Sequence, residues 1–224
     1  MAEVPIQNTS SSSLAPQGDV RGKPRASAGI APASDLRICM GDASVAQKAQ
    51  LVSSLAQIVN DAFGDVEANI FGPGYRRTDE GELKAFIQKG CLAIAYVPTD
   101  KSQTSHAAKP SLQPVGCVFI KQLSARLGNF GMLAVDPKYR GQGLGRAMID
   151  FAENFCRDKG CTAMQMELLV TTNFEHVVKS RMQEWYRRLG YQVVKLGNFE
   201  QDYPSLANLL ATPVDLRVFE KALI

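Results

Sequence analysis

The chain has 224 residues, 45% of them hydrophobic, a net charge of +3, two histidines and five cysteines. That is enough apolar material for one domain with a sizeable core and too little positive charge for a polybasic nucleic-acid or membrane surface. No apolar run approaches the length of a membrane span. His106 and His176 stand beside no Cys or His at a metal spacing, so no metal site is expected. Cys39, Cys91, Cys117, Cys156 and Cys161 are odd in number and mostly lie within apolar patterns. They read as reduced thiols of a cytoplasmic protein rather than as a disulfide framework.

In chain order, residues 1–34 are low-complexity material: a serine tract from Asn8 to Ser13, then a stretch from Ala15 to Ser34 rich in Pro, Gly, Ala and Ser. Such a composition buries too little to order itself, and a disordered tail is expected. Arg21, Lys23 and Arg25 are of the kind a transit peptide carries, but Glu3 and the lack of an amphipathic stripe argue against one. Residues 35–224 alternate between strands and helices as one unit. Leu36 to Met40 reads as a strand, and Gly41 to Ser44 as turn and capping chemistry. Leu51, Leu55, Ile58 and Ala62 then form the apolar stripe of a helix. Phe71-Gly-Pro-Gly74 breaks the pattern, and Thr78 or Asp79 caps a shorter helix carrying Leu83, Phe86 and Ile87, stopped by Gly90. Cys91 to Val97 and Val115 to Leu123 are strand-like runs, separated by a polar segment, Pro98 to Pro114, that is long for a hairpin and reads as mobile. Gly131 to Val135 is a further strand, and Leu144, Met148, Phe151 and Phe155 mark the buried face of the next helix. Thr162 to Val170 reads as a strand, Lys179 to Leu189 as a helix, and Tyr191 to Lys195 and Val214 to Phe219 as the last strands.

The most informative stretch is Met132 to Arg146, where a strand runs through a proline turn into a glycine-spaced loop that opens a helix. A helix N-terminus presents unpaired N–H groups and the positive end of the macrodipole, and so holds phosphate oxygens. Gly141, Gly143 and Gly145 allow close approach of the backbone, and Arg140 and Arg146 add charge at the rim. The spacing is neither G-x-G-x-x-G nor that of a P-loop. It is R-x-x-G-x-G, Arg140-x-x-Gly143-x-Gly145, and it resembles the acetyl-CoA-binding signature of the GNAT acetyltransferases.

The order strand, two helices, three strands, helix, strand, helix, strand, strand also resembles that family. The resemblance implies an α/β fold, a mixed and mostly antiparallel central sheet of about seven strands with helices on both faces. It implies an N-acetyltransferase using acetyl-CoA, in which the backbone of Leu133, Ala134 and Val135 pairs with the pantetheine and Arg140, Gly141, Gln142, Gly143, Leu144, Gly145 and Arg146 hold the diphosphate. In the same family a helix ending Y-x-x-x-G-F/Y carries a tyrosine near the coenzyme sulfur, and Tyr186 through Gly190 to Tyr191 matches it. A phenol there protonates the departing thiolate; the plainer reading of Tyr186 is an aromatic at the edge of the stripe Val178, Met182, Trp185 and Leu189. The base is open. Glu167 shares a strand face with Ala163, Gln165 and Leu169, and either faces solvent or lines the cleft; His176 is the second candidate.

The resemblance departs in one place. Many members set an asparagine about two helical turns before the tyrosine, where it bonds the coenzyme arm, whereas Asn173, the candidate for that coenzyme contact here, lies thirteen residues before Tyr186. Either Thr171, Thr172 or Asn173 reaches the pantetheine, or Asn173 shapes the acceptor pocket. The segment His176 to Arg181 resembles a microbial subgroup. The acceptor implied is a primary amine, more readily a small molecule; the alternatives are a protein N-terminus or lysine, or a non-catalytic acetyl-CoA-binding module. Asp61, Asp65 and Glu67 follow the first long helix, where such folds contact the acceptor, and either attract a cationic amine or solvate a turn. Phe71, Tyr75, Phe199 and Tyr203 are candidates to frame an apolar or aromatic amine. The partners expected are therefore acetyl-CoA and an amine, without nucleic acid or membrane, in a monomer or homodimer.

Overall fold

Capping carboxylates start the helices of the N-terminal half. After β1 (Arg37–Met40), Asp42 accepts from the amides of Ser44 and Val45 at 2.8 and 3.1 Å and opens α1 (Ala43–Ala46). Asp79, rather than Thr78, accepts from the amide of Glu82 at 2.8 Å and opens α3 (Glu80–Gln88). Between them α2 (Ala49–Glu67) is separated from α1 by a break at Gln47 and Lys48, and runs far enough to include Asp61, Asp65 and Glu67. These acids thus belong to the helix and not to a turn after it. The computed structural model describes residues 35–99 and 111–223. The expected tail over residues 1–34 and most of the segment Pro98 to Pro114 lie outside the described residues.

The strands that follow are β2 (Leu92–Pro98), β3 (Leu112–Gln122), β4 (Leu127–Val135), β5 (Ala163–Thr171), β6 (Gln192–Gly197) and β7 (Val214–Ala222). They form one seven-stranded sheet in the order β1-β2-β3-β4-β5-β7-β6, antiparallel throughout except for the β4–β5 pair. Period-two alternation sends β2 side chains to two cores. Leu92, Ile94 and Tyr96 meet Leu55 and Val59 of α2 and Leu83 and Ile87 of α3. Ala93, Ala95 and Val97 share the opposite core with Met148, Ile149 and Ala152 of α4 (Leu144–Asp158) and Tyr186 of α5 (Val177–Arg188). A third cluster gathers Ile70, Phe71, Leu169, Phe199 and Leu216. Phe199 belongs to α6 (Phe199–Asp202), which with α7 (Pro204–Ala207) fills the connection from β6 to β7. Neither four-residue helix has enough periodicity to be read from sequence.

Two expectations need correction. Strand β4 begins at Leu127 rather than Gly131, because the amide of Leu123 donates to Leu127 O at 2.8 Å and closes a hairpin with β3. On α5 the buried stripe is Lys179, Gln183 and Tyr186, not Val178, Met182, Trp185 and Leu189. Val178 is 40% exposed, and the other three are only partly buried against the α4 side. Gln183 is kept inside by accepting from Nη1 of Arg217 on β7. Polar partners, invisible to a hydrophobic pattern, turn this helix by one residue.

All five cysteines are free thiols, and burial pushes Cys117 up to about 12 and Cys156 up to about 11. Among the described residues no helix is long and apolar enough to cross a membrane.

Candidate active site

The sheet is open at its centre. β4 and β5 pair only from Leu127 opposite Ala163 to Asn129 opposite Gln165, and then part, although β4 continues to Val135 and β5 to Thr171. Just beyond the split β4 carries a bulge. Cys117 opposes Ala134 while Phe119 opposes Gly131, and Met132 sits at φ 45°. The amide of Asp136 donates to Val115 O at 2.8 Å, so the alternation of an antiparallel ladder keeps Ala134 on β3 and turns the backbone of Val135 and Leu133 toward the gap. Of the three residues read from sequence, Leu133 and Val135 therefore turn backbone groups toward the gap. Ala134 is spent on β3 and on the α2 core.

The chain then turns through a single 3-10 turn, Pro137–Tyr139, started by Asp136 accepting from the amide of Lys138 at 2.9 Å. Gly141 at φ 78° and Gly143 at φ 84° adopt a left-handed backbone that a side chain would strain. Gly143 is the N-cap of α4 and supplies no side-chain acceptor; the first backbone bond is Ala147 N to Gly143 O at 3.0 Å. The amides before it thus point out of the helix end. Arg140 and Arg146 are exposed at this rim, Arg146 lying 3.7 Å from Asp150. Gln142 donates to Lys138 O at 3.2 Å and braces the turn. The side chain of Leu144 is in the core, leaving only its amide to the loop. Gly145 has a packing reason: a Cβ there would meet the Trp185 ring at 3.4 Å.

That contact brings the two motifs together. Trp185 lies against the start of α4, and its neighbour Tyr186 is 3% exposed among Phe130, Trp185, Tyr191 and Phe219, with centroids 4.9 to 6.3 Å away. Phe130 is the first β4 residue past the last pair with β5, so Tyr186 stands over the point where the strands part. Burial pushes its phenol above the ordinary tyrosine range, so it keeps its proton. Two turns earlier Lys179 is 2% exposed; burial pushes its ammonium down to about 8, with Glu67 opposing the shift and Arg77 adding to it.

Glu167 takes neither of the two positions expected for it in simple form. It is half-buried on the face opposite Tyr186, two residues past the last β4–β5 pair, and accepts from the Tyr203 hydroxyl at 2.5 Å and from Gln165 Nε2 at 3.4 Å. Burial and this carboxylate raise the Tyr203 phenol. Asn173 is exposed and its Oδ1 accepts from Thr212 at 2.7 Å, which ties the loop after β5 to the approach to β7. His176 caps α5 without a side-chain cap bond, its ring 6.3 Å from that of Phe174. The four aromatics noted in the sequence do meet. Phe71 stacks on Tyr75 at 3.9 Å, Phe199 lies 6.2 Å from Phe71, and Tyr203 lies 5.3 Å from Phe199. A bridge between Phe71 and Leu210 joins their two loops. The Tyr203–Glu167 contact was not legible, because it spans thirty-six positions and lies in unpatterned chain. Among the described residues, no group of three His, Cys, Asp or Glu side chains could hold a metal ion.

Residues 103–193 match the sequence profile of the acetyltransferase (GNAT) domain, a span that includes β4, the glycine loop and α5. Over this span the chain is similar to the GNAT acetyltransferases. No curated protein matches the chain. Solved structures share the fold at low identity. An aminoglycoside 6'-N-acetyltransferase complexed with coenzyme A aligns with a TM-score of 0.55 and 14% identity over 84% of this chain and 97% of that one. Ard1 from Thermoplasma volcanium aligns at 0.53 and 13% over 85% and 99%. N-acetylglutamate synthase from Neisseria gonorrhoeae, complexed with coenzyme A and N-acetyl-glutamate, aligns at 0.51 and 16% over 84% and 35%. The mixed seven-stranded sheet is thus part of a fold shared with these acetyltransferase structures.

Proposed function

We propose that this chain is a GNAT N-acetyltransferase that acetylates a small primary amine by direct transfer from acetyl-CoA, as a cytoplasmic enzyme. The observation that carries the reading is the parting of β4 from β5 beneath Tyr186, next to a helix end with free amides. An extended arm bearing amide groups suits a strand edge left without a partner, and a diphosphate suits the α4 N-terminus. Acetyl-CoA supplies the acetyl group as an activated thioester. Leu133 and Val135 align the arm, and their N–H groups stabilise charge developing on the carbonyl oxygen. The amides of Gly141 to Arg146 hold the diphosphate, with Arg140 and Arg146 at the rim. Tyr186, kept protonated by burial, delivers its proton to the departing sulfur. Glu167, with Tyr203 bonded to it, accepts the amine proton directly or through water on the other face of the opening. No acyl-enzyme is required, which agrees with the burial of Cys117, Cys156 and Cys161 and with the raised thiols of Cys117 and Cys156.

A small acceptor is supported by the aromatic cluster Phe71, Tyr75, Phe199 and Tyr203 and the cavity beside it, which enclose ligands better than they admit a polypeptide. The test is an amine panel with acetyl-CoA, read as free thiol released. Turnover with small amines and none with peptides bearing a free N-terminus or lysine is expected. Turnover on peptides alone overturns the small-molecule reading, and acetyl-CoA binding without any turnover overturns transfer itself.

A further inference from the structure

The C-terminal end of α2 and the connection to α3 enclose a cavity of about 190 Å³. Phe63, Phe71 and Tyr75 line it together with Asn60, Glu67 and the two arginines Arg76 and Arg77. Glu67 is 8% exposed, and its buried Oε2 has no hydrogen-bond partner among the described residues. A carboxylate oxygen so placed is costly unless something meets it. The ion pairs among the described residues, Arg146–Asp150, Arg217–Asp215 and Lys221–Glu153, leave it out. Arg77 holds its guanidinium over the Phe63 ring, 5.2 Å from the centroid. Lys179 is close enough to feel Glu67 but makes no ion pair with it, and its burial already works against its charge. Burial, the charge of Glu67 and a hydrogen bond to its carboxylate raise the Tyr75 phenol, which leaves Oε2 as the oxygen without a partner.

The cavity cannot simply collapse onto this oxygen. Asn60 donates to Ala56 O and Thr78 O at 2.9 and 3.0 Å and accepts from the amide of Arg77 at 2.9 Å, fixing one wall. Tyr75 stacked on Phe71, and Phe71 bridged to Leu210, fix the other. A carboxylate oxygen without a partner in a cavity lined by aromatic residues is the chemistry that receives an alkylammonium group.

We infer that this cavity receives an ammonium group of the acceptor other than the one acetylated, so that the preferred acceptor is a diamine. The inference rests on the proposed transfer to small amines and adds the class. The nitrogen that attacks must first lose its proton, and a desolvated carboxylate closing on it would hold it as ammonium, stabilising the ground state against reaction. A cation bound at Glu67 is therefore an anchor. At about 30 Å³ per water-sized group the cavity has room for an ammonium and a few methylenes. The rest of the molecule must leave it. The aromatic row Phe71, Phe199 and Tyr203 leads from the cavity to Glu167, beside the β4–β5 opening.

The test compares putrescine with butylamine as acceptors for the full chain. It also measures putrescine binding calorimetrically with coenzyme A present, where no transfer occurs. Wild type, Glu67→Gln and Tyr75→Leu are compared. Wild type is expected to favour putrescine in kcat/KM by about tenfold or more. Glu67→Gln brings that ratio toward one, mainly through KM, and weakens calorimetric binding by a similar factor; Tyr75→Leu does so less, and carries the test if Glu67→Gln does not fold. A wild type without preference overturns the inference, and so does a Glu67→Gln enzyme whose kcat falls equally for both amines, which would make Glu67 a base. If neither amine is acetylated but putrescine binds in a Glu67-dependent way, the ammonium site stands and the small-amine transfer falls. Neither turnover nor binding overturns both.

Discussion

Replacing Tyr186 with phenylalanine lowers kcat by about two to three orders of magnitude, the usual loss when a positioned proton donor is removed. The affinity for acetyl-CoA stays close to wild type, because the diphosphate is met by the α4 end and the arm by β4, neither of which the hydroxyl touches. Removing one oxygen from a ring packed among Phe130, Trp185, Tyr191 and Phe219 leaves its packing in place, so the variant folds. Steady-state kinetics with the best amine of the panel, beside calorimetry with acetyl-CoA, separates the two quantities. Unchanged kcat makes Tyr186 a packing residue; a loss confined to coenzyme affinity places its hydroxyl on the ligand rather than in the proton transfer.

Lys221→Met destabilises the fold by about 3 kcal/mol, the scale expected when a buried ion pair loses one partner. Glu153 on α4 is 5% exposed; Lys221 on β7 donates to both its carboxylate oxygens at 2.8 Å, and the Tyr191 hydroxyl donates to Oε1 at 2.8 Å. Methionine keeps the stem but leaves the carboxylate with the phenol alone. Replacing the whole group together, Glu153→Leu with Lys221→Met and Tyr191→Phe, recovers most of the loss, because no charge is then buried without a partner. Urea unfolding followed by two coincident probes measures both. A single variant as stable as wild type would show that the pair contributes nothing net. The cluster also bears on the site, since Tyr191 holds the end of the α5 helix and its ring lies 6.2 Å from that of Tyr186.

How much of this was legible before the fold was known follows from what each residue signals. Strand and helix order came from periodicity, and Asp42, Asp79 and the glycine stops are caps that announce themselves. The glycine loop was legible because positive φ at Gly141 and Gly143 demands glycine whatever surrounds it. Hydrophobic pattern failed where polar side chains are buried by partners. The α5 helix turns Lys179 and Gln183 inward, and Glu67 reads as a surface acid yet is enclosed. Pairing between distant segments was equally hidden. Nothing in Glu167 or Tyr203 predicts that α6 and α7 fold back so that the two meet, nor that Asn173 is held by Thr212. The parting of β4 from β5, the feature on which the site depends, is a property of two strands thirty-six residues apart and has no sequence pattern of its own.

Amide hydrogen exchange with and without coenzyme A tests the central claim most directly. If the opening and the helix end hold the coenzyme, the amides of Leu133 and Val135 and those from Gly141 to Arg146 slow on binding, while Ala134, already paired with β3, changes little. Tight binding of coenzyme A with exchange at these amides unchanged and protection elsewhere would contradict the account.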